Sequence, residues 1–150
     1  MKTKSKATNS KHAEYQKLFD ALKSVSHEAL AECPAPTPMI VGSPSTPLGT
    51  DVDPNQKTWF VEGGVCGFAT VVLESGRTGF AQWLLAERSD KLGSKWWSAG
   101  RTKGVGLYTF ARYGFADTGQ SFERKRFIAR KMASYLREQG YECWVEARVD

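Results

Sequence analysis

Two kinds of apolar spacing alternate along residues 57–150, and their order restricts the chain to few folds. Spacing typical of strands occurs in four runs, at about Val65–Leu73, Lys95–Ala99, Val105–Tyr113 and Tyr141–Val149. Spacing typical of helices occurs at about Thr78–Glu87 and Gln120–Gln139, and Gly140 is placed to end the second helix. The predicted order is therefore strand, helix, strand, strand, helix, strand.

This order is the βαββαβ plan of ferredoxin-like α+β folds. In that plan the first and third strands are central and the last is an edge strand. The first and third runs are apolar at consecutive positions, as central strands are, whereas Tyr141–Val149 alternates apolar with charged residues. We therefore expect an α+β ferredoxin-like core over about residues 59–150.

Two further segments precede this core. Residues 10–32 show the spacing of an amphipathic helix, which Asn9 or Ser10 would cap and Pro34 would end; its apolar stripe is Tyr15, Leu18, Leu22, Val25 and Ala29. All six prolines lie between Pro34 and Pro54, which indicates a stiff arm. We expect three units, 1–33, 34–58 and 59–150, with the apolar Met39, Ile40 and Val41 of the arm available to a partner.

Composition gives no support to several classes of function. No apolar stretch is long enough to span a membrane, and the basic start of the chain lacks the apolar segment of a secretion signal. Three cysteines without CxxC spacing indicate reduced thiols, and both histidines, His12 and His27, lie far from any cysteine pair. No nucleophile and base can be paired. We expect a cytoplasmic, non-enzymatic protein with no metal, no cofactor and no membrane partner.

The helix at 120–139 carries the most distinctive charge pattern. Residues 121–140 hold six basic and two acidic side chains, in a chain of net charge +5. Arg126, Arg130 and Arg137 fall on one line about 16 Å long, and Lys131 and Arg124 lie around the far side. Such a line can contact successive phosphates, although many charged helix faces are only solvated. Phe127 falls on the polar side, where it predicts a partner contact.

The stretch KGVGLYTF at 103–110 fits part of the octapeptide of RNA-recognition motifs. Strand alternation would put Val105 and Leu107 where those motifs have base-stacking aromatics, and neither side chain can stack on a base. We interpret this stretch as a central strand that is buried on both faces. Phe68 and Trp144 could stack on bases, but Glu142 and Glu146 would then lie beside the phosphates, which argues against RNA binding there.

We expect Val105, Leu107 and Thr109, with alternate residues of Val65–Leu73, to point away from the two core helices and to form an apolar strip that needs a cover. The apolar stripe of the helix at 10–32 matches that strip. We expect this helix to dock there, within one chain or swapped onto a second copy, with a sheet-to-sheet homodimer as the rival arrangement.

Four segments of the sequence form a pattern when they are taken in order: FVEGGVCGFATV, FAQWL, QSFERKRFIARKMASYLREQGY and a closing R-x-D. Together with the arm they resemble small α+β proteins encoded by bacteriophages and prophages, over about residues 38–150. Thr70 departs from the aromatic expected after CGFA, and SKWWSAGRTKG is longer than expected. The resemblance implies a host-cytoplasmic or virion setting and transfers no functional residue.

The sequence thus predicts a phage-type accessory protein that associates with nucleic acid through its basic helix. The alternative is a protein-interaction module that acts in virion assembly or inhibits a host protein. The proline-rich arm and Phe127 favour that alternative.

Overall fold

The computed structural model describes residues 3–74, 77–88, 95–99, 102–107, 111 and 114–150. Within them the chain forms three helices and two antiparallel sheets, which confirms the predicted α+β class. In chain order the elements are α1 Thr3–Glu32, β1 Met39–Gly42, β2 Thr58–Val61, β3 Gly67–Leu73, α2 Gly79–Arg88, β4 Lys95–Ala99, β5 Thr102–Leu107, α3 Phe122–Glu138 and β6 Cys143–Val149.

The larger sheet has the strand order β4-β5-β3-β6, and every pair of neighbours is antiparallel. Strand β3 pairs with β6 along its whole length, from Gly67 opposite Val149 to Leu73 opposite Cys143. On its other side β3 pairs with β5 from Val71 opposite Leu107. This register brings Phe68 of β3 opposite Arg148 near the chain's C-terminus.

One face of this sheet forms the floor of the hydrophobic core. Residues paired directly across antiparallel strands share a face, so Val71, Leu73, Val105 and Leu107 point to the same side. All four are buried in one cluster with Met132 and other residues of the helices. The expectation that Val105 and Leu107 point away from the helices is therefore wrong. The set that alternates with Val105 and Leu107 consists of glycine and aromatic residues, which a core also accepts, so alternation alone could not assign the faces.

The stretch at 103–110 is buried as far as the structure describes it. Gly104, Val105, Gly106 and Leu107 are all buried in β5, between β4 and β3. This confirms the interpretation of a central strand for those residues, while positions 108–110 lie outside the described part. Close packing explains why position 104 is a glycine, since an added Cβ would meet the Leu73 carbonyl oxygen and the Val72 side chain.

The N-terminal helix lies on the helical side of the sheet, against α3 and α2, and the expected docking on the opposite face is wrong. Its buried line is Phe19, Leu22, Ser26 and Ala29, whereas Tyr15, Leu18 and Val25 are half-buried. The ring of Phe19 contacts those of Phe115 and Trp83 edge-on. The Ser26 hydroxyl accepts the backbone N–H of Ala116 at 3.0 Å and donates to the Lys23 carbonyl oxygen. Leu22 and Ala29 of the predicted stripe are thus confirmed as buried, whereas Phe19 and the polar Ser26 were not on that stripe.

The helix ends follow the local sequence signals in part. Helix α1 ends at Glu32, as Pro34 predicts, but it begins at Thr3 and not at a cap near Asn9 or Ser10. Helix α3 is capped by Ser121, whose hydroxyl accepts the backbone N–H of Arg124. It ends beside Gly140, whose φ of 89° suits glycine, as expected for its C-terminus.

The proline-rich segment contributes a strand. Strand β1, with sequence MIVG, pairs antiparallel with β2, with sequence TWFV, to form a two-stranded sheet. We call β1, β2 and the connecting residues 43–57 the ribbon. Because β2 pairs with the arm and not with the core sheet, the ribbon extends across the expected boundary at residue 58. No helix in the described part of the chain is long and apolar enough to cross a membrane.

Candidate nucleic-acid interface

The first turn of α3 is fixed to the start of β3. The backbone N–H of Phe122 donates to the Val65 carbonyl oxygen at 2.9 Å, and the ring of Phe122 packs over Gly67. The Glu123 carboxylate accepts the backbone N–H of Thr37 at 2.8 Å, which holds the base of the ribbon at the same place. The amino-terminal end of α3, where its dipole is positive, therefore lies beside β3.

At this junction a half-exposed aromatic ring lies close to two cations. Phe68 is 49% exposed and lies on the sheet face opposite the core. The Lys125 ammonium from α3 lies 5.4 Å from the centre of its ring, and the Arg148 guanidinium from β6 lies 5.2 Å from it. Lys125 also donates to the Gly67 carbonyl oxygen at 2.8 Å, which fixes the position of its charge. These distances are those of cation–π contacts.

Arg126 extends this positive surface along α3. Its guanidinium lies 5.9 Å from the centre of the Phe122 ring. We call Phe68, Lys125, Arg126 and Arg148 the cationic corner. It combines an aromatic face with three positive charges from α3 and β6, and three of its members lie more than 20 residues apart in the sequence.

Acidic groups border the corner on the β6 side. Glu146 lies opposite Thr70, two residues along β6 from Arg148, and accepts a hydrogen bond from the indole N–H of Trp144 at 2.7 Å. Asp150 follows Val149, and its backbone N–H donates to the Cys66 carbonyl oxygen. A polyanion would therefore extend from Phe68 toward α3 and not along β6.

A cavity of about 490 Å³ opens beside Phe68 and Lys125. Its wall includes the buried Thr70, the exposed Gln120 and the core residue Ile128. This volume falls within the range of small-molecule sites, which combine an apolar lining with a few polar groups. An aromatic group stacked on Phe68 would have this space next to it.

The structure separates the basic residues of α3 that the sequence grouped together. Arg126 and Arg130 remain on an outer flank of the helix, and Arg130 is exposed. Arg137 instead donates from Nε and one terminal nitrogen to the Cys143 carbonyl oxygen, at 3.2 and 2.9 Å. Arg137 thus joins α3 to the start of β6, and these hydrogen bonds leave its guanidinium less available to a phosphate.

The two basic residues on the far side of α3 face the N-terminal helix. Lys131 forms an ion pair with Glu32 of α1 at 3.6 Å, and its ammonium lies 5.6 Å from the centre of the Phe127 ring. Arg124 lies near Cys33, just after α1, where its charge opposes the effect of burial on that thiol. These residues support the contact between α1 and α3.

Phe127 is less exposed than its position on the polar side predicted. It is half-buried and packs against the hydrophobic core. The reason is the position of α1, which covers this flank of α3. Its role in binding a partner stays a prediction.

The ribbon places the predicted apolar residues of the arm at the surface. Ile40 and Val41 are exposed, while Met39 is half-buried. Sequence reasoning missed their partners: Phe60 lies opposite Ile40, Trp59 lies opposite Val41, and both aromatic side chains are exposed. The apolar residues 59–61 were a visible signal, but they were assigned to the core domain and not to the arm.

Two of the cysteines and both histidines have neighbours within the fold that account for their positions. Burial raises the pKa of the Cys143 thiol, which donates to the Ala133 carbonyl oxygen, and burial likewise raises the pKa of Cys33. Nδ1 of His12 accepts the indole N–H of Trp83, and His27 bonds to the Gly114 carbonyl oxygen. Within the described residues, no three histidine, cysteine or acidic side chains meet in a group that could hold a metal ion.

Comparison of this chain with protein-family models, with curated proteins and with solved structures finds no match. The cationic corner and the ribbon therefore have to be interpreted from their own chemistry.

Proposed function

We propose that this chain is a phage-type accessory protein that associates with single-stranded nucleic acid, in the host cytoplasm or in the virion. The observation that carries the proposal is the half-exposed ring of Phe68 within 6 Å of the charges of Lys125 and Arg148. Single-strand binding proteins combine these two elements, an aromatic face for a base and cations for the backbone.

The division of roles follows from the geometry. A base stacked on Phe68 would place its flanking phosphates near Lys125 and Arg148, since each charge lies within 6 Å of the ring. Arg126 and Arg130 lie further along α3 and would contact the next phosphates. The predicted basic helix thus contributes its amino-terminal half, and Phe68 supplies the aromatic face that KGVGLYTF lacks.

The strand order β4-β5-β3-β6 supports a further part of the proposal. We infer that residues 59–150 contain a ferredoxin-like core, in which β3 and β5 are the central strands. Phe68 then lies on the first central strand, on the face away from the helices, which is the face that RNA-recognition motifs use for bases. This arrangement favours single strands over duplex, because the ring is accessible only to an unstacked base.

Fluorescence anisotropy with labelled single-stranded and duplex oligonucleotides of one sequence tests the proposal. Four cations would give a slope of log K against log salt of about −3 for single strands, or about a 50-fold loss of affinity between about 50 and 200 mM salt. Arg126→Ser should make the slope shallower by about 0.7. Lys17→Ser, which removes an exposed charge on α1, is the matched control and should leave the slope unchanged. Absence of binding at the lower salt, or an equal effect of the two substitutions, would refute the proposal.

A second candidate function is a protein-interaction module, and the exposed ribbon favours it. Exposed aromatic side chains that lie together are enriched at protein interfaces. This candidate includes a virion or assembly component and an inhibitor of a host protein. Affinity purification with the intact chain and with an Ile40→Thr/Phe60→Thr variant tests it: a stoichiometric protein that survives nuclease treatment and is lost with the variant supports the candidate.

A further inference from the structure

Exposed apolar surface in the described part of the chain is concentrated on the ribbon. Five of the eight exposed large apolar side chains lie there, namely Ile40, Val41, Leu48, Trp59 and Phe60. Scattered apolar side chains are normal at a protein surface, but a group on one projecting element indicates a contact.

Both faces of the ribbon are apolar. The register puts Ile40 beside Phe60 on one face, where they are 62% and 69% exposed. Val41 and Trp59 share the other face, at 43% and 52% exposed. An isolated two-stranded sheet is marginally stable in water, and here neither face is fully covered by the described part of the chain.

The low charge of the ribbon favours a protein partner over nucleic acid. The strands MIVG and TWFV contain no charged residue. The nearest cation along the chain, Lys57, lies 5.2 Å from the centre of the Trp59 ring, and Asp51 and Asp53 lie in the connecting residues. This surface does not suit nucleic acid. Since the whole chain carries a net charge of +5, two copies repel each other least where they are uncharged.

We propose that two copies of this chain associate through their ribbons. Each strand of the ribbon has one outward edge, so two ribbons can pair into a four-stranded sheet about a two-fold axis. The inference rests on the second candidate function, the use of the ribbon as a protein-binding arm, and is independent of the cationic corner.

The available area fits a dimer. An aromatic side chain buries about 150–250 Å², so the exposed parts of Trp59 and Phe60 offer roughly 180–300 Å². Ile40, Val41 and Leu48 add a comparable amount. Two copies together thus offer about 1,000 Å² of apolar surface, and edge-to-edge pairing buries the part of it that contacts the neighbouring strand, as in small interfaces of moderate affinity.

The ribbon base is positioned to present this surface. Thr37 is held by Glu123, and Gly64 closes a turn back to Val61 with its backbone N–H donating to the Val61 carbonyl oxygen. Gly64 has a φ of 72°, and an added Cβ would collide with the Thr37 carbonyl oxygen. The two ends of the ribbon are thus tied to α3 and to each other, so dimerisation would not require the core to unfold.

Sedimentation velocity of the full chain, from micromolar to submillimolar protein, tests the inference. We expect a monomer–dimer equilibrium that Ile40→Thr/Phe60→Thr weakens at least 10-fold, because threonine keeps the strand propensity and removes apolar area. The matched control is Val65→Thr/Val149→Thr, which changes two exposed apolar residues outside the ribbon strands and should leave the equilibrium unchanged. A monomer at every concentration overturns the inference.

Hydrogen exchange at low and high protein concentration locates the interface even if a ribbon variant folds poorly. Concentration-dependent protection of residues 39–42 and 58–61 supports the ribbon dimer. Protection of β6 instead, one of the two edge strands of the larger sheet, would show a sheet-to-sheet dimer and overturn it. Oligonucleotide binding by the same variants should stay at the level of the unchanged chain, so a failure of the dimer is distinguishable from a failure of the nucleic-acid proposal.

Discussion

Replacement of Phe19 by alanine tests how the N-terminal helix packs. Phe19 is 2% exposed, and its ring lies 5.4 Å from that of Phe115 and 6.0 Å from that of Trp83, centre to centre. A buried Phe→Ala change costs about 3–5 kcal/mol of unfolding free energy, and each edge-on ring contact contributes about 0.5–1.5 kcal/mol beyond burial. The higher helix propensity of alanine returns only about 0.5 kcal/mol.

The expected net loss is therefore about 3–4 kcal/mol, a large fraction of the about 5–15 kcal/mol that holds a domain folded. Urea unfolding followed by circular dichroism measures it, provided that the slope with urea stays unchanged. Leu18→Ala is the matched control, because Leu18 lies on the stripe predicted from sequence but is only half-buried. We expect it to cost less than half as much. A loss below about 1 kcal/mol for Phe19→Ala, or a larger loss for Leu18→Ala, would refute the packing described for α1.

Three further predictions concern single groups. Gly64→Ala should lower the free energy of unfolding by about 1–2 kcal/mol or more, because a φ of 72° is unfavourable for alanine and the added Cβ would meet the Thr37 carbonyl oxygen. Gly119→Ala is the control, measured likewise by urea unfolding: Gly119 also has a positive φ but has open space around it, so the loss should be smaller. Arg137→Met should lower the free energy of unfolding by about 1–2 kcal/mol, because it removes two hydrogen bonds to the Cys143 carbonyl oxygen. Arg130→Met should change it by no more than about 0.5 kcal/mol. Equal effects would contradict the conclusion that Arg137 is structural and Arg130 is not. Stability should fall above about pH 8.5. Burial raises the pKa of Cys33, Cys143 and Tyr141 in the folded chain, so the folded chain retains protons there that the unfolded chain releases. Urea midpoints that rise from pH 8 to pH 10 would contradict it.

The sequence predicted the elements better than it predicted their faces. Helix α3 was identifiable because its apolar spacing is regular and Gly140 follows it. The face of β5 was not, because Val105 and Leu107 alternate with residues that are equally acceptable in a core. The buried line of α1 includes Ser26, a polar residue whose hydroxyl donates to the Lys23 carbonyl oxygen and accepts the backbone N–H of the distant Ala116.

The candidate site could be predicted only in part for a related reason. The run of basic residues in α3 is local, so the sequence shows it directly. The meeting of Phe68, Lys125 and Arg148 depends on the pairing register of β3 with β6 and on the docking of α3, which join residues far apart in the chain. The ribbon is intermediate: Met39–Val41 was visible as an apolar segment, but its pairing with Thr58–Val61 was not.

The most direct test of the central claim is the affinity of Phe68→Leu for a single-stranded oligonucleotide, measured at two salt concentrations. Leucine keeps apolar bulk and removes the stacking face, so we expect affinity to fall by about 5- to 150-fold, the equivalent of about 1–3 kcal/mol, with the salt slope unchanged. Phe60→Leu, an equally conservative change on the ribbon, should leave affinity as it is. Undiminished binding by Phe68→Leu, or the same loss from Phe60→Leu, would contradict the account.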